Sequence, residues 1–435
     1  MSFKNFADAL YKVCIVLGIS AGIAIIAKTM THSRKGFDEE GYIAKSSLTV
    51  ENGQMTPEVL LAFGRLSDPQ VSPDGKHILY GVSYTSTTDN KSVRNLAICA
   101  LDGSDAQELT HSGKSISNAR WSADGKRIVF LMGGQMWTAS ISEKGGKWKL
   151  SALKQVSDIP GGISEFKLSP DQKKVMYVSY IKSAVKSPSD CYADLDKATA
   201  YTTDDLMYRH WDHTVMEIPH TYVSDFAFKK GGVKAGTDLL AGESELYELP
   251  TEPFGGLEQL CWSPDSRFIA YSCRKLAGKK YAFSTNTEIY IYNVETAETA
   301  VIDMKGGYDT DPVWSPDGSK ICWISMERDG YEADKQRLMI ASVAREGSMP
   351  AVTDIKDITA DFKYNVSGPV WSDDSQRIYF ASLAEGLQGI FEAVADGEGW
   401  KIERLTGEDM WYDFGSPFHI EVREDGSRCL YTTWC

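Results

Sequence analysis

A chain of 435 residues, 42% hydrophobic and 24% charged, is long enough to bury a large core and has the composition of a globular protein, not a disordered or many-spanning one. Its net charge of −14 argues against a nucleic-acid partner, because phosphate binding needs clustered Lys and Arg. Eleven Trp, 21 Tyr and 37 Gly favour an all-β, turn-rich chain, since aromatics suit pleated surfaces and glycine supplies tight turns.

Residues 1–45 read as a segment apart. Val13–Ala27 is an uncharged apolar run, preceded by Lys4 and Lys12 and followed by Lys28, Arg34 and Lys35. It is shorter than the roughly 20 residues that cross a bilayer and fits a signal-peptide core, yet no small-x-small cleavage site follows it. The expectation is a hydrophobic N-terminal helix acting as leader or anchor, so that the protein is exported, periplasmic or attached to a membrane. Inside the run, Gly18-Ile-Ser-Ala-Gly22 has the Gly-x-Ser-x-Gly form of a nucleophile elbow. No strand-to-helix turn surrounds it, so Ser20 is read as a small helix residue and not as a catalytic one.

Residues 46–435 carry an internal repeat. Its copies are Val71-Ser-Pro-Asp-Gly75, Trp121-Ser-Ala-Asp-Gly125, Leu168-Ser-Pro-Asp-Gln172, Trp262-Ser-Pro-Asp-Ser266, Trp314-Ser-Pro-Asp-Gly318 and Trp371-Ser-Asp-Asp-Ser375, with a degenerate Arg423-Glu-Asp-Gly426. The aspartates fall at 74, 124, 171, 265, 317, 374 and 425, spaced by 50, 47, 94, 52, 57 and 51. In each copy an apolar strand enters a turn where proline sets φ, aspartate bonds the local backbone and glycine closes the bend. An alternating strand follows, as at Ile78-Leu-Tyr80 or Ile321-Cys-Trp323, and two more usually come after it. Four strands in about 50 residues is the grammar of a propeller blade. The expected fold is therefore all-β: a β-propeller of about seven four-stranded blades, WD40-like or TolB-like, with the last blade incomplete. Ser46–Phe63 is a candidate strand to complete that blade.

The doubled interval holds an insertion at about 181–222, a natural place for function because insertions gather on one face. It contains His210, Asp212, His213 and His220, whose spacing fits neither a metalloprotease helix nor a zinc finger, so no metal is assigned to them. The eight cysteines form no Cys-x-x-Cys pair, and the motif tryptophans 121, 262, 314 and 371, like Trp211, are read as packing. No cofactor is implied.

Three stretches carry a family resemblance. Met55-Thr-Pro-Glu-Val-Leu-Leu-Ala-Phe-Gly-Arg-Leu-Ser-Asp-Pro-Gln-Val-Ser-Pro-Asp-Gly75 resembles the start of the propeller in prolyl oligopeptidase (S9) serine peptidases, in the branch of dipeptidyl peptidase V and acylaminoacyl peptidase. Leu206-Met-Tyr-Arg-His-Trp-Asp212 and Trp323-Ile-Ser-Met-Glu-Arg-Asp-Gly-Tyr-Glu-Ala-Asp334 resemble the same branch. The resemblance implies a propeller that limits access to small peptides in front of an α/β-hydrolase domain, which this sequence lacks. The expectation is a substrate-gating propeller truncated before its catalytic domain and inactive alone, with a peptide as partner once such a domain is supplied. The alternative is a standalone exported TolB-like binding or scaffold module. If the family's hold on a free amino end carries over, Glu327, Asp329, Glu332 and Asp334 are the carboxylates for an ammonium group, with Arg328 and Arg209 for a carbonyl or carboxylate. A solvated loop or an interdomain ion-pair network is the plainer reading of the same charges.

Overall fold

The turn after each blade's first strand is built identically six times. Ser72, Ser122, Ser169, Ser263, Ser315 and Ser372 each donate their hydroxyl to the aspartate two residues on, at 2.5–2.7 Å. Each also accepts the backbone N–H five residues on, at 2.9–3.0 Å, which pins the start of the second strand. The serine hydroxyls hold the Asp74, Asp124 and Asp374 carboxyls below the usual range, so these turns stay charged at neutral pH. The fifth motif position has positive φ in each of these six copies, from 54° at Gln172 to 72° at Gly75. That explains glycine at three of them. Where another residue stands there, its side chain reaches the preceding blade: Gln172 donates to Trp121 O, Ser266 accepts from Asp171 N and Ser375 from Asp317 N.

The computed structural model describes residues 37–434 apart from 38, 49, 51, 398, 408–413 and 423–427. The N-terminal run Val13–Ala27, with its expected helix, lies outside the described residues. Among those described, no helix is long and apolar enough to cross a membrane.

Six antiparallel four-stranded sheets span 65–108, 116–155, 165–238, 260–302, 308–357 and 367–404, each with its strands in sequence order. They are blades one to six. Phe414–Val422 pairs with Arg428–Trp434 in a seventh, two-stranded sheet, which packs on blade six and touches the first strand of blade one. The ring thus closes. Its core is a series of seams between blades: Leu79, Ile98 and Phe130 between one and two, Phe166 and Tyr177 beside Val129 between two and three, and so on round to Phe380 and Ile324 between five and six. Motif tryptophans staple the seams. The indoles of Trp121, Trp262 and Trp371 donate to Gln70 O, Lys167 O and Val313 O in the preceding blade, at 3.1–3.3 Å.

Two expectations need correcting. Ser46–Phe63 forms no strand among its described residues. Pro57–Ala62 is instead a short helix, with Thr56 as N-cap, proline in its first turn and Glu58 near its positive end. The insertion is 183–216 and not 181–222, because Lys174–Lys182 and Glu217–Asp225 stay paired along their full length.

Antiparallel order fixes which loops share an end of the ring. In every blade the connection between second and third strands lies at the end where the next blade's first strand begins. The insertion 183–216, the connection 239–259, the loop 274–287 and the loop 327–336 therefore all lie on one face. The serine-aspartate turns lie on the other.

Candidate functional site

The first strands of neighbouring blades meet one another and line the central channel. Glu165 and Tyr308 open the first strands of blades three and five at the insertion face. Burial first, and then the charge of Glu258, push the Glu165 carboxyl upward against the pull of Lys167. Burial, then Asp311, push the Tyr308 phenol up; Glu332 and Glu258 add to this and Arg274 opposes it. Glu258 lies in the helical turn Leu257–Gln259, which packs against the first strands of blades three and five, so Glu165, Tyr308 and Glu258 gather at the channel mouth. Deeper in, the Lys167 ammonium is buried and donates to Leu257 O and Leu260 O at 2.6 and 2.7 Å. Burial pulls it downward from its ordinary value.

Beside the mouth sits a buried polar network that ties the insertion down. His210 Nε2 lies 2.5 Å from Glu248 Oε1, and both side chains are almost fully enclosed. Tyr281 Oη donates to Glu248 Oε2 at 2.8 Å and accepts from Arg274 Nη2 at 2.6 Å. The Arg274 guanidinium also stacks over the Tyr281 ring at 4.0 Å. Tyr180 Oη donates to Glu252 Oε1 at 2.7 Å. The network joins the hairpin Arg209–His210/His213–Thr214, the 248–252 segment and the helix Lys279–Phe283, all of them insertion-face elements.

The 327–336 loop, where five of the six sequence-nominated residues sit, is held from two sides. Arg328 grips Asp334 through its guanidinium and its backbone N–H, and lies 3.8 Å over the Tyr331 ring. Asp329 accepts from Ser284 Oγ at 2.7 Å and Thr285 N at 2.8 Å, which fastens the loop to blade four. Glu327 meets Arg337 at 3.7 Å. Glu332 remains exposed on the insertion face, so within this loop it is open to a cation. Arg209 stands apart on the insertion and donates to Trp211 O at 2.6 Å. Of the four nominated histidine-segment groups, His213 faces Asp212 at the surface, and His220 pairs with Asp238 at 2.7 Å inside blade three. Only His210 belongs to the network above.

Glu165, Glu248, Glu252, Glu258, Arg274 and Tyr281 escaped the sequence reading. Their one visible signal was Glu248-Leu-Pro-Thr-Glu-Pro253, two acids in a proline-marked connection.

The same face is unusually apolar. Trp211 and Phe254, 72% and 67% exposed, meet edge to face with centroids 4.9 Å apart. Phe283 is 80% exposed, and Leu60, Leu61, Tyr192, Leu206, Tyr208, Tyr331 and Leu383 are also open at this end.

No family model matches the chain. Among curated proteins it is similar to dipeptidyl-peptidase 5 of Porphyromonas gingivalis, with 39% identity over 369 residues covering 83% of this chain and 50% of the relative. Dipeptidyl-peptidase 5 of Porphyromonas endodontalis is 40% identical over 295 residues, covering 67% of this chain and 41% of that one. The chain spans about half the length of the curated relatives it matches. Among solved structures it shares its fold with an acylaminoacyl peptidase of Pyrococcus horikoshii, with TM-score 0.54, 18% identity, and coverage of 86% of this chain and 52% of that one.

Proposed function

Because the chain is a propeller portion of the prolyl oligopeptidase (S9) family, we propose that it acts as the substrate-gating domain of a serine exopeptidase. In this reading a catalytic α/β-hydrolase domain rests on the insertion face, and short peptides reach it past the acidic channel mouth. The observation that carries the reading is the coincidence on one face of the exposed aromatics, the insertion and the mouth. An apolar surface rimmed by polar groups is what a partner domain covers. Glu258 and Glu332 then supply negative charge for the free amino end of a peptide, at a site whose neighbouring carboxylates Asp329 and Asp334 are already engaged. Export through the Val13–Ala27 segment belongs to the same proposal.

The test is a chimera in which this chain replaces the propeller half of the Porphyromonas gingivalis dipeptidyl-peptidase 5. It should release a reporter from a dipeptide amide with a free amino end. The double variant Glu258→Gln/Glu332→Gln should raise KM for that substrate about 10-fold, equivalent to ~1.4 kcal/mol, while leaving its N-acylated analogue unchanged. An active chimera whose KM ignores both substitutions would remove the amine-binding role.

A further inference from the structure

The network that anchors the insertion also has the makings of a metal centre. His210 Nε2 and carboxylate oxygens of Glu248 and Glu252 all lie within 4.8 Å of one another. Glu248 and Glu252 come from one segment and His210 from the insertion hairpin, so the three donors join two parts of the chain that are remote in sequence.

Three features argue for more than hydrogen bonding. The first is charge. Two carboxylates converge where His210 and Glu248 are only 6% and 2% exposed, and buried like charges are unfavourable unless a cation offsets them. The cation facing them, Arg274, approaches Glu248 only to 4.0 Å and is already bonded to Tyr281. The second is the outer arrangement. Tyr281 Oη holds one oxygen of Glu248 and Tyr180 Oη one oxygen of Glu252, which orients both carboxylates and leaves each a second oxygen to offer. Metal-ligating carboxylates are characteristically oriented by such outer hydrogen bonds. The third is access. Glu252 is only half-buried, so an ion can reach the three donors from its side.

We propose that His210, Glu248 and Glu252 bind a divalent zinc ion that clips the insertion to the ring beside the channel mouth. One imidazole and two carboxylates suit zinc better than calcium, which takes six to eight oxygens. Zinc–ligand distances of about 2.0–2.2 Å require His210 and Glu248 to part by roughly 1 Å from their direct contact. The neutral imidazole then carries its proton on Nδ1, so Nε2 presents its lone pair to the ion and no proton is consumed. The two carboxylate charges cancel the charge of the ion.

Titrating the whole, tag-free chain with zinc chloride by calorimetry, after chelator treatment, tests this without any assay of peptidase activity. The expected result is one ion per chain and a melting temperature that rises by a few degrees at saturating zinc. Glu252→Gln is the informative variant, because its amide oxygen still accepts from Tyr180 and the His210–Glu248 contact is untouched. It should keep the unliganded melting temperature and lose zinc affinity by more than about 100-fold, beyond the 10–100-fold typical of an outer partner. His210→Ala should lose binding as well. No heat and no thermal shift in the parent chain, or binding that survives Glu252→Gln, overturns the assignment.

Discussion

Asp309→Asn is expected to stabilise the protein at pH 8 and to leave it unchanged near pH 4. Asp309 is the second residue of the first strand of blade five and is wholly enclosed. Its Oδ1 accepts from Trp323 Nε1 at 3.0 Å, while Oδ2 has no partner. Burial pushes the carboxyl up to about 7, Glu288 pushes it the same way, and Ser325, Trp323 and Arg337 oppose the rise. A carboxyl raised from 3.8 to about 7 binds its proton more tightly in the folded chain than in the unfolded one. Its contribution is therefore complete below pH 4, is lost as pH climbs from 4 to 7, and stays lost above. By linkage the loss amounts to as much as about 4 kcal/mol. Asparagine keeps the acceptor for Trp323 and carries no charge, so it should escape this loss. Urea unfolding of both proteins at pH 4, 6 and 8 reads the effect directly. A difference that does not grow with pH would show that Asp309 ionises freely in the fold.

Glu248→Ala should produce the largest loss of stability among the site residues. Removing this carboxylate strips His210 of its partner, leaves Tyr281 Oη without its acceptor and deprives Arg274 of its nearest negative charge. Breaking one member of a buried charged network costs about 3–5 kcal/mol. The damage should be local first, because the insertion meets the ring chiefly through this network and the small cluster of Met207, Val215, Ile218 and Tyr281. Hydrogen exchange in chelator should show the Arg209–Thr214 hairpin opening while the blade strands stay protected. Glu248→Gln, which keeps an acceptor for Tyr281, should lose less. A Glu248→Ala chain within about 1 kcal/mol of the parent, with an equally protected hairpin, would mean that the network does not anchor the insertion.

Much of the ring could be read from sequence because its information is local. The Ser-x-Asp pair, the alternating strand behind it and the near-constant period lie within one blade, and they specify the turn, the register and the blade count. Thr56-Pro57-Glu58 was equally local, a helix start with cap, proline and acid, and the extended reading of Ser46–Phe63 overlooked it. What stayed hidden was contact between blades. Gln172, Ser266 and Ser375 look like worn copies of a glycine until each side chain is seen bonding the blade before it. The site suffered in the same way. The 327–336 loop stood out for its density of charge, yet nothing local says that Arg328 takes Asp334 while Ser284 takes Asp329. Glu248 bonds His210, next to the nominated Arg209, from 38 residues away in the chain. An isolated glutamate gives no sign that it faces a channel.

Peptide-length selectivity of the chimera tests the proposed gating role most directly. With this chain in front of the remaining half of the Porphyromonas gingivalis dipeptidyl-peptidase 5, kcat/KM should hold for peptides of a few residues. It should fall by at least about 100-fold, ~2.7 kcal/mol in the barrier, for unfolded chains too long to pass the channel mouth. A folded chimera that cleaves long and short chains at equal rates would contradict the account.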